Sequence, residues 1–161
     1  MGKGTEQIKL LIQRLFPELV NDKHFKLTSP QDACYNCIAW AYNYKDRWMW
    51  PPKGMPTNIL DAVTYWPNEN SSDDVSEFIR AFKEGKGYEI CENADYEKGY
   101  QKIALYVKKG TTKCTHAARQ LTTGFWTSKL GQAQDIQHGT PYTIEGDKYG
   151  KVYCIMKRRF P

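Results

Sequence analysis

Apolar residues in the first half of the chain recur with the spacing of helices. A first helix is expected between Thr5, which can cap it, and Pro17, which ends it. Its buried face would carry Ile8, Leu11, Ile12 and Leu15. A second helix is expected to begin at Asn36 or Cys37 and to run to about residue 44. One face of this second helix would hold Cys37, Trp40, Ala41 and Tyr44.

Caps and prolines delimit the rest of this half. Residues 71–74, Ser-Ser-Asp-Asp, supply the cap and the first-turn acids of a third helix that ends at Gly85 or Gly87. That helix would bury Phe78, Ile79 and Phe82. Between Trp48 and Trp66 repeated prolines block regular structure, so an ordered aromatic loop is expected there.

The apolar period changes to two after residue 88, which indicates strands. In the first strand Ile103, Leu105 and Val107 alternate with Ala104 and Tyr106. In the next strand one face would hold Cys114, His116, Ala118 and Gln120, and the other Thr115, Ala117, Arg119 and Leu121. A third strand is expected over 125–130, and a closing hairpin over 142–145 and 151–157.

These patterns predict an α+β fold in which N-terminal helices pack on a C-terminal antiparallel sheet. The expected organisation is a single domain over 1–161, with a helical part at 1–87 and a strand-rich part at 88–161. A chain of 161 residues with 40% hydrophobic content can bury a core of its own. No apolar run is long enough to cross a membrane, so a cytoplasmic protein is expected. A secreted effector without a cleaved signal is the alternative.

Charge and cysteine content narrow the function only slightly. The five cysteines are an odd number in a chain large enough to fold without disulfides, which favours reduced thiols. The net charge of +5 comes from dispersed basic residues apart from 157–159, Lys-Arg-Arg. Nucleic-acid binding is therefore an unlikely function, and no membrane partner is expected.

A cysteine, a histidine and further polar residues follow one another in an order that suggests thiol chemistry. Cys37 comes directly after Asn36, a good helix cap, where backbone N–H groups favour a thiolate. His116 lies on a predicted strand, and Asp135 and His138 follow at the next turn. Ser128 is expected to be structural. Arg119, on the other face from His116, is expected to form an ion pair rather than to hold a substrate carboxylate.

This order resembles that of the papain-like thiol hydrolases, including their bacterial NlpC/P60-like branch. Gln31 stands six residues before Cys37, as the oxyanion-hole glutamine of papain does, and Cys34 occupies the position of a disulfide cysteine. The chain departs from that pattern at Tyr35 and Asn36, where Gly-Ser is usual, and it lacks the Asn-Ser-Trp stretch. The blocks Tyr-Asn-Cys-Ile-Ala-Trp-Ala, Thr-His-Ala-Ala-Arg-Gln and Trp-Thr-Ser-Lys-Leu-Gly are also similar to an uncharacterised bacterial domain family.

The resemblance implies a papain-like hydrolase that needs no cofactor and no metal. Cys37 would attack a carbonyl carbon, and His116 as imidazolium would protonate the leaving amine. Asp135 or His138 would orient the imidazole ring, with Asp135 preferred. The oxyanion would be bound by the backbone N–H of Cys37 and by the amide of Gln31, or alternatively of Asn36. The substrate would be an amide or isopeptide in a peptide or peptidoglycan fragment.

Two alternatives come from other classes of protein. Cys34, Cys37, Cys114 and His116 could together bind a structural zinc ion, although the second pair is tightly spaced. The chain could also be a non-catalytic binding module that grips a protein partner with its aromatic loop. Reaction of Cys37 with a thiol-directed electrophile separates a catalytic from a buried cysteine.

Overall fold

A computed structural model describes residues 3–28, 36–43, 48–49, 64–65, 72–130 and 134–160. The helices are α1 (Lys3–Leu15), α2 (Cys37–Ala41) and α3 (Val75–Lys86), and two short 3-10 helices cover Pro17–Asn21 and Pro141–Ile144. The strands are β1 (Lys26–Leu27), β2 (Trp48–Met49), β3 (Thr64–Tyr65), β4 (Glu89–Cys91), β5 (Tyr100–Val107), β6 (Cys114–Gln120), β7 (Trp126–Lys129), β8 (Asp135–His138) and β9 (Lys151–Arg159).

Seven of the strands form one antiparallel sheet in the order β1-β8-β7-β6-β5-β9-β4. The other two, β2 and β3, form a separate parallel pair. Helices and an antiparallel sheet confirm the predicted α+β class. No helix within the described ranges is long and apolar enough to span a membrane.

Each face of the sheet is covered by its own layer. One layer, here called the α2 face, packs α2 and α3 on the inward side chains of β5, β6 and β9, among them Leu105, Ala117 and Met156. The opposite layer, called the α1 face, packs α1 and the 3-10 helices on Tyr106, Trp126 and other side chains. Because neighbouring residues of a strand point to opposite faces, every strand of the centre contributes to both layers.

The third helix confirms its prediction closely. Asp74 caps it by accepting a hydrogen bond from the N–H of Ser76 at 3.0 Å. Gly87 ends it with a left-handed φ of 75°. Phe78 and Phe82 are buried, as the helical spacing predicts. The strand over 125–130 is also confirmed, as β7.

The first two helices differ from their predictions. α1 begins at Lys3, so Thr5 lies within the helix rather than at its cap. Leu11 and Leu15 were placed on the buried face but are 57% and 52% exposed. The apolar contact is made instead by Ile12 and by Phe16, which follows the helix. α2 spans only Cys37–Ala41, since the chain turns at Tyr42 and Asn43.

A β-bulge corrects the predicted faces of β6. In the ladder with β5, His116 is opposite Tyr106 and Cys114 is opposite Val107, so Thr115 is an extra residue. Cys114 therefore joins the α2 face, whereas His116 lies on the α1 face. The prediction that the two share a face is wrong because strict alternation does not survive the inserted residue.

The predicted closing hairpin is wrong in its first strand, whereas its second strand, over 151–157, is confirmed as part of β9. Residues 141–144 form a 3-10 helix, which Pro141 starts and which Thr140 caps by accepting a hydrogen bond from the N–H of Tyr142. β9 pairs instead with β5 along eight residues and with β4 on its other side. Because β5 lies some fifty residues before β9 in the sequence, no local turn signal indicates that the two strands pair.

Candidate functional site

The sulfur of Cys37 lies where α2 meets β6. Asn36 caps α2 by accepting a hydrogen bond from the N–H of Ala39 at 3.1 Å, as its residue type predicts. The cap fixes the following residue, Cys37, against β6, and Cys37 is 6% exposed. The sulfur receives backbone hydrogen bonds from Ala117, Ile38 and its own residue. Burial outweighs these contacts and raises the pKa of the Cys37 thiol from 9.0 to about 11.

The side chain of Asn36 holds the chain at Met49. One N–H of its Nδ2 donates to the carbonyl of Met49 at 2.9 Å, and its Oδ1 also accepts from the N–H of Met49 at 3.0 Å. The second N–H of Nδ2 is not used in this pair, so the alternative role of Asn36 as an oxyanion donor stays a prediction. Gln31, the preferred donor, lies outside the described residues, as does Cys34.

The imidazole of His116 is fully buried on the α1 face. Its ring stacks on that of Tyr149, with centroids 3.9 Å apart and planes 8° from parallel. Its Nε2 lies 3.0 Å from Oγ of Ser128 on β7. Ser128 in turn lies 2.8 Å from Nε2 of His138 on β8. Three neighbouring strands thus carry one chain of polar side chains.

The hydrogen bonds of this relay, meaning His116, Ser128 and His138, fix where the protons are. Nδ1 of His138 lies 2.7 Å from the carbonyl of Thr140, so it donates, and Nε2 of the neutral ring accepts from the Ser128 hydroxyl. The Ser128 oxygen then accepts from Nε2 of His116. Nδ1 of His116 is left without a proton, buried and with no hydrogen-bond partner.

Burial keeps both imidazoles of the relay neutral. Burial first, and then the neighbouring His138, lowers the pKa of His116 well below 6.5. Burial also lowers the pKa of His138 from 6.5 to about 4, although the Thr140 carbonyl opposes the shift. Together with the raised pKa of Cys37, these shifts favour a neutral thiol and a neutral imidazole. A thiolate and an imidazolium were expected.

Cys37 and His116 approach β6 from its two sides. Ala117, which bonds to the sulfur, belongs to the α2 face, and the adjacent His116 points to the α1 face. Within the described residues, β6 pairs with β7 only at Arg119 and Gln120. Over 115–118 the backbone pairing with β7 is absent, and the side chains of His116 and Ser128 are in contact there instead. The backbone of β6 lies between the sulfur and the ring, so the two groups do not share a cleft wall.

Asp135 and His138, the two candidates for the third role, also lie on different faces. His138 is opposite Trp126 and belongs to the α1 face with His116. Asp135 is opposite Lys129 and, three residues earlier on β8, points to the α2 face. Asp135 cannot orient the His116 ring from there, so the preference for Asp135 is wrong. His138 reaches His116 only through Ser128.

A cation and an indole complete the α2 face beside Cys37. The guanidinium of Arg119 lies 4.5 Å from the ring centroid of Trp40. Its Nη1 donates to Oδ1 of Asn43 at 2.7 Å, and Nε1 of Trp40 donates to Oγ1 of Thr127 at 3.2 Å. Arg119 forms no ion pair with a carboxylate of the described chain, so the expected ion pair is corrected to these contacts.

The alternative zinc site is not assembled as predicted. The bulge places Cys114 and His116 on opposite faces, which separates the second ligand pair. Cys37 and Cys114 are free thiols. Among the residues that the structure describes, no group of three or more His, Cys, Asp or Glu side chains could hold a metal ion. The aromatic loop of the binding-module alternative lies almost wholly outside these residues.

Sequence reasoning missed two members of these clusters. Ser128 looked structural because no base follows it at a useful spacing, and only the strand register brings two histidines to it. Lys129 is completely buried on the α2 face and lowers the pKa of Cys37 electrostatically. The sequence held one signal for Lys129, which is its position inside a predicted strand. Because lysine is almost never fully buried, a lysine at such a position indicates a special role.

Comparisons with known proteins add a family but no activity. A family model described as "Domain of unknown function (DUF7689)" matches residues 26–157, which include α2 and all but the last two residues of the sheet. No curated protein and no solved structure matches the chain.

Proposed function

The chain belongs to the DUF7689 family, and from the site we propose that it is a papain-like thiol hydrolase that cleaves an amide or isopeptide bond in a peptide or peptidoglycan fragment. Cys37 is the nucleophile and Nδ1 of His116 is the base. Ser128 and His138 position the ring. The papain-like assignment of the α+β fold is part of the same proposal.

One observation carries the proposal. Nδ1 of His116 is buried, unprotonated and without a partner, and it belongs to the residue next to Ala117, whose N–H bonds to the Cys37 sulfur. A buried acceptor with no donor is unusual, because desolvation without a hydrogen bond costs free energy. A reaction in which this nitrogen accepts a proton would account for the missing donor.

The proton moves between the two groups in each half of the reaction. The thiol proton passes to Nδ1 of His116 past 115–118, where β6 is not paired with β7, as the sulfur attacks the carbonyl carbon. The amine leaves with that proton when the C–N bond breaks, and a thioester remains on Cys37. Nδ1 then takes a proton from the water that attacks the thioester carbon, and it returns this proton to the Cys37 sulfur as the C–S bond breaks and the carboxylic acid leaves. During the charged stage Nε2 donates to Ser128, which is bonded to His138.

The pKa shifts make the resting pair neutral, so substrate binding has to favour charge separation. Nearby Lys129 lowers the pKa of the Cys37 thiol, in the direction that helps a thiolate. Donors aimed at the sulfur act more strongly once water is excluded, because the local dielectric is low.

Turnover of fluorogenic peptide amides tests the proposal. We expect Cys37→Ala to abolish turnover and His116→Gln to lower kcat by at least about 100-fold, the usual contribution of a general base. Cys114→Ala is the matched control, since Cys114 is also a buried free thiol on the α2 face, and its turnover should stay near that of the wild type. Equal turnover by the wild type and Cys37→Ala would contradict the proposal.

A non-catalytic binding module is the second candidate. It is favoured by the pKa of about 11 for Cys37 and by the neutral His116, which are the properties of an inert thiol. Iodoacetamide labelling near pH 7, read by mass spectrometry, distinguishes the two. Labelling of Cys37 that His116→Gln slows supports the hydrolase, whereas no labelling together with no turnover supports the binding module.

A further inference from the structure

Arg119 is held in place on the α2 face, and none of the carboxylates that the structure describes forms an ion pair with it. The ring of Trp40 covers one side of its guanidinium, and Asn43 accepts from one of its terminal nitrogens. Asn43 adopts a left-handed φ of 71°, which asparagine tolerates better than most residues. Trp40 is itself fixed through Thr127. These contacts orient the planar cation before any ligand arrives.

The guanidinium retains unused donor capacity. Within the described ranges its Nε is buried and has no hydrogen-bond partner, and its Nη1 donates to the side chain of Asn43. Arginine carries five N–H donors in a fork that matches the two oxygens of a carboxylate. A half-buried cation with a free Nε–H gains more from an anionic ligand than an exposed one would.

The surrounding charges favour an anion at this position. Tyr88 and Asp135 act electrostatically on Arg119, but Asp135 lies two strands away and opposite Lys129 in the ladder. Lys129 is buried on the same face. Burial lowers the pKa of Arg119 below its usual value, and Tyr88 and Asp135 oppose this shift without reversing it.

The positions of Arg119 on β6 and of Trp40 on α2 place this cation near the candidate nucleophile, Cys37. Arg119 follows Ala117 by two residues on β6, a rise of about 7 Å along one face. Trp40 follows Cys37 by three residues, so it lies about one helical turn from the sulfur. In an N-acylated amino acid one carbon separates the carboxylate from the amide nitrogen. A substrate of this kind can therefore place its carboxylate at Arg119 while its amide carbonyl lies at Cys37.

We propose that Arg119 binds the free carboxylate of the substrate, so that the preferred substrates are amides whose leaving group is an amino acid with an unblocked carboxylate. This inference rests on the proposed hydrolase, because it names the substrate class of the same site. Arg119 acts as a specificity-determining residue and takes no part in bond breaking.

Binding of matched ligands to the Cys37→Ala protein tests the inference without turnover. N-acetylalanine and N-acetylalaninamide differ only in the carboxylate, and calorimetric titration gives the Kd of each. We expect the carboxylate ligand to bind at least tenfold more tightly. In the double variant, Cys37→Ala with Arg119→Gln, the two ligands should bind with equal affinity, and the Kd of N-acetylalaninamide should be unchanged. Arg80→Gln is the control, since Arg80 is a partly exposed arginine that pairs with Glu77 on α3.

The outcomes separate this inference from the proposed function. Equal affinity for the two ligands, or a preference that survives Arg119→Gln, overturns the role of Arg119 even if the wild type cleaves amides. A carboxylate preference without any turnover supports Arg119 and overturns the hydrolase alone. If Arg119→Gln unfolds, Arg119→Lys keeps the charge but loses the fork, and a reduced preference in that variant supports the inference.

Discussion

On the α1 face three buried polar side chains are linked by hydrogen bonds to one another, whereas on the α2 face a thiol lies among backbone donors and a cation lies against an aromatic ring. His116, Ser128 and His138 form a closed relay with one unused acceptor. Cys37 and Arg119 instead meet backbone N–H groups, an indole and an amide. The relay on the α1 face can store or move a proton, and the residues on the α2 face can hold an anion. Proton transfer between Cys37 and His116 requires a path past β6.

Acid should destabilise the α1 face most. A base whose pKa is lowered on folding binds more protons when unfolded, so stability is present at pH 7 and is lost as pH falls below 6.5. With a folded pKa of about 4, His138 alone loses about 3 kcal/mol of unfolding free energy by pH 4. His116 adds to this loss, since its pKa is also lowered.

Urea unfolding between pH 7 and pH 4 measures this loss. His138→Gln should flatten the profile between these limits, whereas His24→Gln, at an exposed histidine, should keep it. Unfolding free energy that is constant over the same interval would contradict two buried neutral imidazoles.

Ser128→Ala should break the relay while sparing the α2 face. The change leaves Nε2 of both His116 and His138 unpaired, at a cost of about 2 kcal/mol in unfolding free energy. Thr127→Val is the matched control on the neighbouring residue, which points to the other face. It removes the bond from Trp40 and should cost about 1 kcal/mol without changing the pH profile. Equal pH profiles for wild type and Ser128→Ala would argue against a coupled relay.

Asn43→Asp should have the smallest effect, and it concerns the α2 face. The new carboxylate would pair with Arg119 at the protein surface, which we expect to add about 0.5 kcal/mol of stability. The same pairing occupies the guanidinium, so the affinity for N-acetylalanine should fall. Thermal denaturation and the calorimetric titration measure the two effects, and tighter ligand binding would count against Arg119 as the carboxylate site.

Local signals predicted the elements whose determinants are local. The cap at Asp74 and the glycine at Gly87 specify α3, and alternation specifies β5 and β7. The predicted alternation of β6 holds for 116–118, and only the face of Cys114 is wrong, because the extra residue Thr115 moves Cys114 to the other face from His116. α1 was misread because exposed leucines share the helical period with the buried Ile12.

The sequence predicted which residue types form the candidate site better than it predicted how they are arranged in space. Asn36 as the cap of α2 and Cys37 after it follow from short-range chemistry. The division of Asp135 and His138 between two faces depends on the register of β7 and β8, which no local pattern encodes. Ser128 became important only through long-range pairing, for the same reason.

The position of β9 has a consequence for how the protein is made. This strand occupies residues 151–159 yet lies between β5 and β4 in the interior of the sheet. A ribosome therefore completes nearly all of the sheet before it supplies the strand that closes it. Until then the long edge of β5 is unpaired and can pair with strands of other chains, which makes the nascent chain prone to aggregation at this edge.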